Sequence, residues 1–312
     1  MQSDVSAQRV LITGGLGHIG SCLIRSLNYN MTVADDLSTE RYASLFDFKP
    51  STEHKIIFWP RDFSDLTEKE LSQFDIIIHL AAKTNAAASL QNPEEIERVN
   101  INQTSSLIER ATAAGVSLFM FPSSTSVYGV AKEIVVEDDP ECINPQSPYA
   151  ESKVKIERAL QAGKMSYIIF RFGTIFGTSP GMRFHTAINK FCYQACVGEP
   201  LTVWRQNLNQ KRPYLALTDA ITAIDWAIGK GPEVKNEIYN VASGNYRLCE
   251  VLHIIGKHAQ IEMNLIDTPL LNQYSYEVSC DKIAKLGYVL EGCLEDGIRQ
   301  TMRLLSRIRR VN

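Results

Sequence analysis

The chain has 312 residues, enough for one large domain or two coupled ones with a sizeable core. Hydrophobic residues make up 45% and charged residues 21%, which excludes a disordered chain. Thirty-two Lys and Arg against 35 Asp and Glu leave a net charge of −3, which argues against a nucleic-acid-binding or strongly membrane-attracted surface.

From the N-terminus, a β-branched run at 9–12 predicts a strand that ends at Thr13-Gly14-Gly15. Ile19, Leu23 and Leu27 then recur at helical spacing over 19–27. Strands are expected at 31–34, 55–59 and 75–80, the last centred on Ile76-Ile77-Ile78. Pro93 in a first turn and Gly115 just past an end frame a long helix over 93–114. A strand at 118–121, a helix at 149–162 closed by Gly163, and a strand at 167–170 follow. Continuous apolar strands separated by helices predict a parallel sheet covered on both faces, an α/β doubly wound architecture. Beyond residue 173 the alternation loosens. Helices are expected at 184–197, 218–228, 247–259 and 294–308, with short strands at 201–204 and 238–241. Residues 1–172 therefore read as one domain, with segments near 214–245 returning to it. Residues 173–312 read mainly as a smaller interleaved α/β lobe.

Seven cysteines stand at 22, 142, 192, 196, 249, 280 and 293, an odd number with no Cys-x-x-Cys pair. Cys192 and Cys196 lack a His or a second Cys pair at ligand-like spacing, so no metal site and no disulfide framework is expected. Reduced thiols, a polar N-terminus without a signal segment, and no apolar run near the ~20 residues that span a bilayer predict a cytoplasmic protein without membrane contact. Arg303, Arg307, Arg309 and Arg310 read as a solvated last helical turn rather than a binding patch.

Thr13-Gly14-Gly15-Leu16-Gly17-His18-Ile19-Gly20 follows a strand and opens a helix. Gly14, Gly17 and Gly20 supply what a dinucleotide diphosphate needs: a tight turn, close backbone approach, and helix packed on strand with its N–H groups free. Asp35 ends the second strand, where a carboxylate can accept the adenosine ribose hydroxyls. Asp36 follows it, and no Arg lies within three residues, so NAD is favoured over NADP. An ordinary surface turn is the alternative reading of Asp35-Asp36-Leu37-Ser38.

Tyr149 and Lys153 are spaced to share a helix face, and the run from Ala150 to Glu157 is strongly helix-forming. A neighbouring ammonium favours a phenolate and suits Tyr149 to act as a base on a sugar hydroxyl. Ser124, at the end of the strand begun at 118, could bond the same hydroxyl. The spacing alone is close to chance in this composition, and Tyr128 with Lys132 repeats it beside Gly129. A core tyrosine with a snorkelling lysine is the competing reading of Tyr149 and Lys153, and a serine-rich turn that of Ser124.

Together these residues resemble the extended short-chain dehydrogenase/reductase superfamily, in its nucleotide-sugar epimerase/dehydratase branch. The likeness covers most of the chain. It rests on TGGLGHIG (13–20), DDLS (35–38), Asp62 in RDFSD, HLAAK (79–83), SSTSVYG (123–129), SPYAESK (147–153), RFGTIFG (171–177), GEPLTVW (198–204), RPYLALTD (212–219) and YNVASG (239–244). The resemblance implies an NAD-binding Rossmann domain followed by a substrate-binding lobe. Gly14, Gly17, His18, Ile19 and Gly20 would contact the dinucleotide, Asp35 and Asp36 the ribose side, and Asp62 with Phe63 the adenine. Leu80, Ala81, Ala82 and Lys83 would line its phosphates and nicotinamide ribose, where Tyr149 and Lys153 also reach. Ser124, Tyr149 and Lys153 would be the catalytic trio. Ser124, Thr125, Tyr149, Thr174, a base-stacking Trp204 and a diphosphate-binding Arg212 would meet a nucleotide-diphosphate sugar.

Family 4,6-dehydratases carry Asp-Glu after the catalytic Ser/Thr, where this chain has Thr125 and Ser126. Hydroxyls cannot supply the extra acid and base that elimination of water needs. Family decarboxylases usually place Glu at Ser126, and the C3/C5 epimerases use a Cys that is missing here. What remains is hydride transfer at one carbon. The resemblance to UDP-galactose 4-epimerases implies 4-epimerisation of a nucleotide hexose through a transient 4-keto sugar, with Tyr149 as acid/base and tightly bound NAD. A dehydratase, 4-ketoreductase or dehydrogenase on the same scaffold, or a non-catalytic NAD-binding protein, are the alternatives. A homodimer through helices near 93–114 and 149–163 would follow family habit.

Three departures fall in the lobe. Thr174 replaces the usual Asn, and Ala187-Ile188 stands for an Asn-Leu pair. The usual second diphosphate arginine is missing from the stretch 268–277, leaving Arg183, Arg205 or Arg247 as substitutes.

Overall fold

The computed structural model describes residues 8–46, 54–129, 134–267 and 275–306. Lys132, Arg307, Arg309, Arg310, the residues before Gln8 and most of 268–277 lie outside the described residues.

Seven parallel strands form the central sheet. They are β1 (Arg9–Thr13), β2 (Asn30–Ala34), β3 (Ile56–Trp59), β4 (Ile76–His79), β5 (Leu118–Ser124) and the strands Tyr167–Phe172 and Glu237–Val241. Their spatial order runs Glu237–Val241, Tyr167–Phe172, β5, β4, β1, β2, β3. The connection reverses direction at β1, which lies between β2 and β4. In an open α/β sheet a ligand crevice forms at such a switch point.

Both sheet faces are buried, which is why the strands read as unbroken apolar runs. Successive side chains point to opposite faces. Val10, Ile12, Ile76, Ile78 and Met120 therefore enter one core, and Leu11, Ile77 and Phe119 the other. The strand Glu237–Val241 joins this sheet from a segment 65 positions after Phe172.

The helix expected at 93–114 is continuous but not uniform. Its α-helical ends, Pro93–Ile96 and Thr104–Ala113, flank a wide π-helical stretch, Glu97–Gln103. Asn92 caps it by accepting the Glu95 N–H at 3.2 Å.

The remaining chain builds a third core around Phe176, Phe191, Leu201, Val203, Val251 and Ile298. It sits on a three-stranded sheet (Thr174–Phe176, Lys211–Ala216, Gly244–Arg247) and the pair Leu201–Trp204 with Met263–Ile266. The helix expected from 184 begins only at Ala187 (Ala187–Val197), because Thr186 is extended and the chain before it is bonded through Gly181 to Ser21 and Arg41. The helix expected over 247–259 is Leu248–Gly256, and the last described helix is Leu294–Leu305. None of the seven cysteines is in a disulfide, and burial pushes Cys192 up to about 12. Among the described residues no cluster of metal-ligating side chains occurs, and no helix is long and apolar enough to cross a membrane.

Candidate active site

A cleft of about 900 Å³ opens at the switch point and runs past β5 to the second lobe. All the residues assigned above to cofactor, catalysis or substrate line it.

At one end the glycine loop turns from β1 into the helix α1 (Gly20–Ser26). Gly14 has φ +67°, and a Cβ there would stand 2.6 Å from the Ala81 backbone. Only glycine lets the loop lie this close to the strand-end segment at Leu80, Ala81, Ala82 and Lys83. A Cβ on Gly20 would stand 2.5 Å from the Cα of Gly15, so the loop is folded tightly on itself. Gly17, His18 and Ile19 line the space in front. Buried His18 Nε2 has no hydrogen-bond partner, while Nδ1 meets Ser179 Oγ at 2.8 Å. An uncovered polar atom beside a glycine cradle fits a bound dinucleotide.

Asp35 stands at the end of β2. Its carboxylate accepts the Leu16 and Leu37 N–H groups, each at 3.0 Å. Burial raises its carboxyl above the usual range, and those two donors oppose the rise. A carboxylate has about four acceptor positions, so room for ribose hydroxyls is left. Asp36 is exposed and accepts the Ser38 N–H at 2.9 Å. Asp62 accepts the Ser64 N–H at 2.8 Å. The ring of Phe63 turns inward, edge-on to His79 at 4.8 Å, which leaves Asp62 as the polar group there. His79 itself is core. It is wedged between Thr13 (2.7 Å) and Thr104 (3.0 Å), and burial pushes it down to about 3.

Asn100 was not singled out from the sequence. Its side chain accepts the Lys83 N–H at 2.8 Å and donates to the Lys83 carbonyl at 2.9 Å, fixing the cleft floor from inside the π-helical stretch. Wide turns of this kind recur at functional sites, and two asparagines amid a helix pattern are the signal that could have found it.

At the centre of the cleft, Ser124 ends β5. Tyr149 and Lys153 stand one turn apart on the helix Pro148–Ala162, which Ser147 caps by accepting the Ala150 N–H at 3.2 Å. The Ser124 side chain faces the Tyr149 phenol and favours its charged form. Lys153 Nζ donates to the Pro122 carbonyl at 2.8 Å and lies 5.8 Å from the Tyr149 ring centre. The expectation that Lys153 draws the phenol down is not met in this arrangement. Burial raises Tyr149, and the groups opposing the rise are Ser124 and Arg183. Lys153 is itself pushed down to about 8 by burial, with Glu157 opposing. Beneath it Glu157 pairs with Arg171 at 2.7 Å and accepts Ser123 Oγ, and Arg171 also donates to the Tyr128 hydroxyl at 2.8 Å. Tyr128 is thus a fully buried residue packed with the core, and Lys132 of its Tyr-x-x-x-Lys spacing lies outside the described residues.

Side chains from separate segments make up the far end. Thr125 is buried, and its carbonyl accepts the Tyr276 hydroxyl at 2.8 Å. The neighbouring Ser126 hydroxyl is buried without a partner. Thr174 opens the strand Thr174–Phe176, and Trp204 ends Leu201–Trp204. Arg212 lies over the Tyr276 ring at 5.3 Å, and its buried Nη2 has no partner. Of the three substitute arginines, Arg183 lines the cleft, whereas Arg205 pairs with Asp267 at 3.4 Å on the surface and Arg247 stands outside. Among the described residues the lining carboxylates are Asp35, Asp36 and Asp62, all at the β2–β3 edge. The other end carries Arg183, Lys190 and Arg212.

Residues 10–242 match the NAD dependent epimerase/dehydratase family. The chain is 28% identical to the dTDP-D-glucose 4,6-dehydratase of Mus musculus, over 95% of this chain and 88% of that protein. It is 26% identical to a putative UDP-glucose 4-epimerase of Methanocaldococcus jannaschii, over 95% of this chain and 98% of that one. Among solved structures it superposes on MoeE5 in complex with UDP-glucose and NAD. The TM-score is 0.83 at 24% identity, covering 96% of this chain and 99% of that one.

Proposed function

The chain belongs to the NAD dependent epimerase/dehydratase family, and on that premise we propose that it inverts C4 of a nucleotide-diphosphate hexose. Residues 1–172 would carry the dinucleotide and 173–312 mainly the sugar nucleotide. The observation that carries this reading is the cleft's distribution of groups. Ser124, Tyr149 and Lys153 meet at its centre, and among the described residues no carboxylate stands at the sugar end.

Gly14, Gly17, His18, Ile19 and Gly20 would hold the dinucleotide diphosphate, and Asp35 the ribose. Bound NAD supplies the group that takes and returns a hydride. Tyr149 removes the C4 hydroxyl proton and later restores it, and Ser124 holds that oxygen through both steps. Lys153, brought down to about 8 by burial, stays mostly protonated at neutral pH and can pass a proton beside Tyr149. Elimination of water would need a carboxylate at the far end, where the hydroxyls of Thr125 and Ser126 stand instead. Arg212 with its free Nη2, together with Arg183 and Lys190, suits a sugar-nucleotide diphosphate, and Trp204 suits a base. A homodimer through the helices near 93–114 and 149–163 belongs to the same proposal.

The test is a panel of UDP-, dTDP-, GDP- and CDP-hexoses incubated without added cofactor and followed by NMR. C4 inversion of at least one supports the reading. A 4-keto-6-deoxy product, or no conversion at all, overturns it.

A further inference from the structure

We infer that Arg41 and the strap at 177–185 form the outer wall of the dinucleotide diphosphate cradle and trap the cofactor between turnovers. This rests on the dinucleotide site proposed above.

The strap leaves the strand Thr174–Phe176 in the second lobe and returns to the glycine loop about 160 positions earlier. Three polar contacts fasten it there. Ser179 Oγ meets His18 Nδ1 at 2.8 Å, the Gly181 N–H donates to Ser21 Oγ at 3.0 Å, and Arg41 Nη1 donates to the Gly181 carbonyl at 2.9 Å. A Cβ on Gly181 would stand 2.3 Å from the Leu16 carbonyl oxygen and 2.4 Å from that of Gly17. Backbone lies directly on backbone here, as it does in the cradle itself.

Arg41 comes from a third segment. The turn Tyr42–Leu45 that follows it is pinned to the same loop, with Ser44 Oγ donating to the Leu16 carbonyl at 2.8 Å. The guanidinium lines the cleft, and Nη1 stands 3.6 Å from where a Cβ on Gly17 would be. It therefore overhangs the diphosphate cradle. Among the described residues no carboxylate lies within ion-pair distance of Arg41. Its charged neighbours are Arg183, which repels it, and Asp35, which attracts it. Burial lowers Arg41 to about 10 and His18 and His185 to about 4 each. A half-buried cation without a paired anion is ready to gain one from a ligand. The diphosphate that the glycine loop would hold is the anion in reach, and a guanidinium presents a fork of donors to paired oxygens. With this wall in place, release requires the strap to lift from the loop and break contacts between the two parts of the chain. An enzyme that returns its hydride to the same sugar needs that retention.

The experiment is exchange of bound NAD against isotopically labelled NAD, read by mass spectrometry of the desalted protein. The wild type is expected to exchange slowly, over many minutes. Arg41→Gln should exchange at least tenfold faster, and Ser179→Ala, which removes only the His18 contact, several-fold faster. Arg205→Gln, at the surface pair with Asp267, should match the wild type. Wild-type-like exchange in both Arg41→Gln and Ser179→Ala overturns the wall while leaving the dinucleotide site standing. A wild type that takes up no NAD overturns the site and the wall together.

Discussion

The two ends of the cleft are built by opposite means. At the glycine-loop end, backbone makes the surface. Gly14, Gly17 and Gly20 bring main chain within reach of a ligand, and neighbouring strand ends add Asp35 and Asp62. At the other end side chains make the surface: Arg183, Lys190, Trp204 and Arg212 converge from distant segments, and Arg212 lies over the ring of the sequence-distant Tyr276. The lining carboxylates all stand at the glycine-loop end, whereas cations line both ends. A backbone-built site is shared by every chemistry that uses the same dinucleotide. A side-chain-built site is where one reaction and one sugar are chosen.

Breaking the backbone end should have the broadest effect. Gly14→Ala places a Cβ 2.6 Å from the Ala81 backbone at φ +67°. Dinucleotide binding by calorimetry should weaken at least about 100-fold and turnover should vanish, because relieving such a clash costs a few kcal/mol. Tyr149→Phe should do the reverse. Turnover falls by about a thousandfold or more, the scale of a lost acid/base group, while NAD content and melting temperature stay at wild-type values. Loss of NAD from this variant would show that the two ends are not separable.

Smaller effects sharpen the contrast. Arg212→Ala should raise KM for the sugar nucleotide about 10- to 100-fold, as expected for a lost charged hydrogen bond, with little change in NAD affinity. Acid should act on the glycine-loop side. His18 and His185 are held down to about 4 by burial and by nearby Arg183 and Arg41. The unfolded chain binds more protons than the folded one between pH 6.5 and about 4, so stability is full above 6.5 and falls as pH drops through that window. His18 alone contributes on the order of 3 kcal/mol, and the less buried His185 contributes less. The melting temperature of dinucleotide-free protein should fall from pH 7 to pH 5, and His18→Asn should flatten the slope. An unchanged slope would show that His18 is not held neutral.

What was legible in the sequence follows the same division. The glycine loop, Asp35 and the Tyr149–Lys153 pair are each fixed by a short stretch of chain: a strand end, a turn, one helical repeat. They were readable for that reason. Arg41 and Tyr276 matter because distant segments bring them to the cleft, and no local pattern records such an approach; Asn100 leaves only the weak trace of two asparagines in a helix pattern. The helix expected from 184 illustrates the limit. Its apolar spacing continues back through Phe184, yet the chain before Ala187 is committed to the strap and cannot be helical. The electrostatics were the least legible. Sequence pairs Lys153 with Tyr149, whereas burial governs both groups and Arg183 is the cation that opposes the rise in Tyr149.

The most direct test of the account follows deuterium. A nucleotide hexose labelled at C4 is incubated with the purified protein and no added NAD, and the product is examined by NMR. The account predicts the C4 epimer with the deuterium still on C4. An epimer that has exchanged its label with solvent, or a product formed only with stoichiometric NAD, would contradict it.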